Sequence, residues 1–183
     1  MTMFLAIVGL VLVLWVVFTF NRLVRLRNQV RAGWSDIDVQ LMRRHDLVPR
    51  LVDAVRAYVG HEKAVLENVT ELRAQAMQTS SPARLAGLEG QLEAGLGRLV
   101  LLKEAYPDLK ASENFLKLQT DLVEVEDHLQ YARRFYNGAV RANNDAVQRF
   151  PDLVVARGFG FGEAEFFEAG APARNAPRVE VSQ

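Results

Sequence analysis

Cysteine is absent from this 183-residue sequence. Its absence excludes disulfides, thiolate metal sites, a cysteine nucleophile and a cysteine-borne lipid anchor, and leaves the compartment open. An excess of one charge is missing too. Lys and Arg number 22, Asp and Glu number 22, and the pI is about 6.9, so nothing global attracts nucleic acid. No stretch alternates apolar and polar residues convincingly enough to form a strand. The metal spacings fail as well. His61 to Val65, HEKAV, has valine where the zinc motif HExxH needs its second histidine. None of His45, His61 and His128 follows a glutamate by three positions, as a di-iron bundle requires. GFGFG at 158–162 has no strand before it and reads as a flexible aromatic turn, not a phosphate loop. No metal, cofactor or nucleotide is expected.

Charge is also missing from Met3 to Phe20, MFLAIVGLVLVLWVVFTF, where Thr19 is the one polar side chain. Roughly 18 residues at about 1.5 Å each span about 27 Å, enough to cross a hydrocarbon core. A cleaved signal would carry a basic start and a small-residue cleavage site. Here only Met-Thr precedes the run, and NRLVRLRNQVR follows it. The expectation is an uncleaved anchor over 1–20 and a basic juxtamembrane helix over 21–32. Arg22, Arg25, Arg27 and Arg31 would sit at the membrane interface. Because these four arrive before the first acid, Asp36, the short amino terminus is expected outside and the remainder in the cytoplasm.

Beyond Arg22 the pattern is helical. At about 100° per residue, Ile37, Leu41, Val48, Val52, Val55, Val59 and Leu66 share one broad face. A break is expected at Thr79–Pro82, where Ser80 or Ser81 can cap a helix with Pro82 in its first turn. Pro49 or Gly60 could divide the segment before it. Leu85, Leu88, Leu92, Leu96, Leu99 and Leu102 mark a second helix, and its glycines could let a neighbour come close. Tyr106–Asp108 breaks the chain again. Phe115, Leu118, Leu122, Val125, Leu129, Ala132, Tyr136, Ala139, Asn143, Val147 and Phe150 then alternate steps of three and four, a packing seam that ends at Pro151. One short helical turn and glycine-spaced aromatics should fold back on the bundle. AGAPARNAPRVEVSQ, 169–183, has the composition of a disordered tail. The class is all-α: one N-terminal transmembrane helix, then a long antiparallel bundle of three or four helices over 33–168.

Several long stretches carry a family likeness. WSDIDVQLMRRHDLVPRLVDAVRAYVGHEKAVLENVTELRAQA, EAYPDLKASENFLKLQTDLVEVEDHL, ARRFYNGAV and the GFGFGEAEFFE close resemble the LemA family from Asn21 to Glu168. That resemblance implies an N-terminal anchor followed by an antiparallel bundle, usually of four helices, in a bacterial inner membrane. It implies no established enzymatic activity and an association with membrane proteases and membrane organisation. Asn143-Asn144, where Tyr-Asn is common, and the glycine-rich second helix depart from the usual pattern.

Trp34 to Asp53 gathers Asp36, Asp38, His45, Asp46 and Asp53 around Arg43-Arg44, the ingredients of acid–base chemistry. On the helical wheel His45 and Arg44 fall within the apolar face, while Asp36 and Asp46 point away. Asp38 shares His45's bearing but lies about two turns, or 11 Å, before it. A catalytic dyad within this helix is therefore not expected. Buried charge needs a partner, so Asp38, Arg44, His45, Glu126, Arg133 and Asn137 are expected to form a buried polar network that sets helix register. The functional expectation is a non-enzymatic, membrane-held scaffold or assembly factor that engages other membrane proteins or copies of itself. A ligand-sensing module, with a small-molecule site near Arg44, the Pro49 kink and Asn143, is the alternative.

Overall fold

The computed structural model describes residues 1–168, and these contain helices and no strand. Helix α1 runs Thr2–Arg56, α2 Lys63–Met77, α3 Pro82–Leu101, α4 Pro107–Lys110, α5 Glu113–Gln148 and α6 Asp152–Gly158, with a 3-10 turn at Leu102–Glu104. The expectation of a disordered tail over 169–183 lies outside the described residues. Two compact units divide the chain. One comprises residues 1–47 and 120–166, the other 48–119 together with Phe167 and Glu168.

In the first unit the part of α1 beyond its apolar run packs antiparallel on α5. The order of contacts shows this: Arg44 meets Glu126, Gly33 meets Tyr136, and Arg22 meets Asp152 just beyond the end of α5. At Gly33 the two helices approach closely, since a Cβ there would lie 3.0 Å from the Phe135 ring and 3.1 Å from the Tyr136 backbone. Trp34 lies against Tyr136 with ring centroids 5.5 Å apart. Ile37, Leu41, Val125, Leu129, Ala139 and Val140 form the buried seam. Its expected last member does not belong to it. Phe150 is 78% exposed, because α5 ends at Gln148 and the helical phase ends with it.

The second unit holds an antiparallel hairpin of α2 and α3. Ser81 caps α3, accepting from the Arg84 N–H at 3.5 Å, and Pro82 occupies the first turn. A Cβ on Gly95 would lie 3.0 Å from Val69, so this glycine admits the neighbouring helix, while Gly90 and Gly97 face open space. Val48, Val52, Val55, Val69, Leu92, Leu96, Leu99, Leu109 and Phe115 build the core. Helix α1 passes through Pro49 and ends at Arg56, so the dividing break lies at Ala57–Glu62 and includes Gly60. Proline removes one backbone donor yet does not end this helix.

Candidate functional site

Two regions of the first unit carry the candidate functional residues. The first is the end of the apolar run. Residues Thr2 to Leu14 of α1 are exposed throughout, as expected of a segment with no protein around it. From Trp15 the character changes. Trp15, Val16, Phe20, Val24 and Leu26 pack on a core of Leu23, Ala146, Val147, Val155, Ala156 and Phe161, and Thr19 is buried. Phe20 meets Phe159 and Phe161 edge-on, with centroids 5.0 and 5.5 Å away. The four arginines beyond it divide. Arg22 pairs with Asp152 at 2.8 Å, and Arg27 lies 4.9 Å over the Phe161 ring. Arg25 and Arg31 are exposed.

The glycine-spaced aromatics are ordered by a helix cap. Gly160, at φ +70°, takes the left-handed conformation after α6. This turns the chain so that the Phe161 N–H donates to the Ala156 carbonyl at 2.9 Å and the Phe159 N–H to Val155 at 3.0 Å. The turn expected to be flexible is thus a Schellman-type close, and it directs Phe161 inward. Beyond it α5 straps the chain down. Asn144 donates to the Ala164 carbonyl at 2.9 Å and accepts from the Ala164 N–H at 2.8 Å. Its amide offers a donor and an acceptor side by side, as a peptide does. Asn143 donates to the Gly162 carbonyl at 3.1 Å, and the Tyr136 hydroxyl to the Glu165 carbonyl at 2.7 Å. Burial, reinforced by the charge of Glu165, pushes the Tyr136 phenol above its ordinary value.

The second region is polar and internal. Arg44 is 1% exposed and pairs with Glu126. Arg133 approaches the same carboxylate at 3.8 Å, so one glutamate faces two guanidinium groups. His45 is buried, and Asn137 half-buried. Asp38 is exposed and lies outside the buried group. Counting about 100° per residue from Trp34, the buried face of α1 centres near 320°, so Asp38 falls about 80° off it, just beyond the edge. Asp36, Asp46 and Asp53 are likewise exposed. The cluster that resembled an active site thus separates into a buried Arg44 and His45 and a solvated row of carboxylates. Among the described residues no three His, Asp or Glu side chains gather as metal ligands would.

Sequence reasoning overlooked Glu89, fully buried in α3, and Asp152, the partner of Arg22. The period did signal Glu89, which sits between Leu85 and Leu92 on the leucine face. For Asp152 no local signal existed.

The architecture defines a class: an all-α protein whose N-terminal helix is long and apolar enough to cross a membrane and continues into packed helices. A family model described as the LemA family matches residues 33–181. The chain is 27% identical over 153 residues to Protein LemA of Metamycoplasma hominis, covering 81% of this chain and 68% of that protein. It is 23% identical over 186 residues to Magnetosome protein MamQ 2 of Paramagnetospirillum magneticum, covering 87% and 68%. Magnetosome protein MamQ of Magnetospirillum gryphiswaldense is 22% identical over 186 residues, with the same coverage. The chain belongs to the LemA family. Its apolar helix and this membership point to a membrane-associated helical protein.

Proposed function

We infer that the chain is a single-pass membrane scaffold or assembly factor acting without catalysis, with its helices on the cytoplasmic side. The observation that carries this reading is the continuity of α1, which passes from the exposed apolar run into packed helix without a break. Movement or recruitment at the membrane is then coupled directly to the helices beyond. The internal polar groups support the same reading, since Arg44, Glu126 and Arg133 serve one another. His45 and Asn137 complete a group that sets register between α1 and α5 in this account. Outward-facing Val39, Met42, Tyr131 and Phe135 supply apolar surface for a partner helix or a second copy. Similarity to relatives named as magnetosome proteins supports the membrane-associated part of this reading.

The test is photocrosslinking in intact membranes. A photoreactive residue at Met42 or Tyr131 should give discrete protein adducts, including a dimer of this chain, and one at exposed Glu93 should not. Equal, diffuse labelling at all three positions would remove the scaffold reading.

A further inference from the structure

We propose that the corner between α5 and α6, with the turn after it, is a second membrane contact that enters the headgroup and upper acyl region beside the anchor. The inference rests on the reading of α1 as a membrane anchor.

Depth is the first argument. Trp15 lies five residues before the end of the apolar run, about 7–8 Å along a helix. Because Trp15 and Val16 pack on the cluster containing Val147, Val155 and Phe161, that cluster overlaps the last part of the run itself. A run of about 27 Å has no length to spare against a hydrocarbon core of roughly 30 Å. The bilayer therefore cannot stop below Trp15, and the corner cannot stand clear of it.

Surface chemistry is the second argument. Phe150, Val154 and Phe159 are 78%, 60% and 57% exposed, while Asp152, Val155 and Ala156 of the same short stretch face inward. Three outward apolar side chains thus stand at the depth where the anchor itself enters lipid, the level of exposed Val17 and Phe18 on α1. Between Phe150 and Phe159 the charge toward solvent is positive, and the nearest exposed acids, Asp145 and Glu163, lie four residues before Arg149 and four after Phe159. Arg149 and Arg157 are exposed, and the acid between them, Asp152, is neutralised by Arg22 at 2.8 Å. Apolar side chains flanked by arginine suit an anionic interface, into which such a face sinks about 5–10 Å. Arg27 over Phe161 and the Gly160 cap hold the corner against α1, so it is presented in place.

The chain has no cysteine, so single cysteines can carry spin labels without other changes. Labels at positions 12, 127, 150 and 154 would be compared in the full chain reconstituted into phosphatidylethanolamine–phosphatidylglycerol vesicles. Collision with oxygen and with an aqueous nickel chelate is then measured. Positions 150 and 154 should favour oxygen several-fold over position 127, with a depth between positions 127 and 12. If 150 and 154 match 127 while 12 stays in hydrocarbon, the anchor stands and the second contact is wrong. Labels at 150 and 154 shielded from both reagents would mean that protein covers the corner, which also overturns the proposal. Water-like behaviour at position 12 would remove the anchor reading and this inference together.

Discussion

Arg44 and Glu126 form an ion pair across α1 and α5 in which the guanidinium is almost completely buried and the carboxylate is 24% exposed. Breaking a buried pair costs more than removing it whole, because the survivor keeps its desolvation penalty. Glu126→Leu should therefore destabilise by about 3 kcal/mol, the lower end for such a pair since Glu126 retains some water. Arg44→Met combined with Glu126→Leu should recover part of that loss, since Arg133, 19% exposed, also loses this carboxylate. Denaturant midpoints in detergent measure both, and a double variant no better than Glu126→Leu would show that the pair does not act as a unit.

Tyr136 gives the pH dependence. Its folded pKa is raised above the ordinary 10.0, by burial first and the Glu165 charge second. The neutral phenol is the form the fold favours, so the stabilisation is complete below the unfolded value. It is lost as pH rises from about 10 through the folded value. Tyr136→Phe should flatten that alkaline decline and cost about 1 kcal/mol near neutrality through the missing bond to the Glu165 carbonyl. Thermal unfolding between neutral pH and alkaline pH checks it; an unchanged alkaline slope would clear Tyr136 of the role.

Two helical glycines should respond oppositely to alanine. Gly90 faces open space, so Gly90→Ala gains helix propensity of roughly 0.5–1 kcal/mol. Gly33 meets the Tyr136 backbone at 3.1 Å from where its Cβ would be, and backbone yields poorly. Gly33→Ala should lose stability despite the same propensity gain. Equal increases in melting temperature would mean that α1 and α5 do not approach closely there.

His45 distinguishes packing from catalysis. His45→Leu removes polar capacity from a buried site and should cost about 1–3 kcal/mol, while His45→Gln should cost less. Function lost equally in both, with the fold intact, would argue for chemistry at this residue.

Orientation can be read directly. Thr2→Cys should react with an impermeant maleimide in intact cells, and Ser182→Cys only after lysis. The ion pair of Arg22 with Asp152 weakens the positive flank by one charge, leaving Arg25, Arg27 and Arg31 to hold it. The reverse labelling pattern would place the helices outside and exclude the cytoplasmic partners.

The sequence by itself determined whatever depends on neighbours a turn away. Helical period, a serine-capped start at Pro82 and an interruption around Pro107 are local, because an α-helix closes its own hydrogen bonds within four residues and sorts side chains by bearing. Hence Ile37, Val52, Leu92 and Leu129 were legible as core, and Arg44 and His45 as inward-facing. Which serine caps, and that Pro107 opens the short α4, came from the structure. The tertiary structure decided what depends on distant chain. Arg22 and Asp152 are 130 residues apart, and nothing local to either announces the pair. Asp38 lay near enough to the edge of the face for its burial to turn on where the neighbouring helix sits. Phe150 continued the period of α5 on paper, but the chain turned at Pro151 and left its ring outside. Periodicity gives a direction for each side chain; only the packed neighbour determines whether anything is there to meet it.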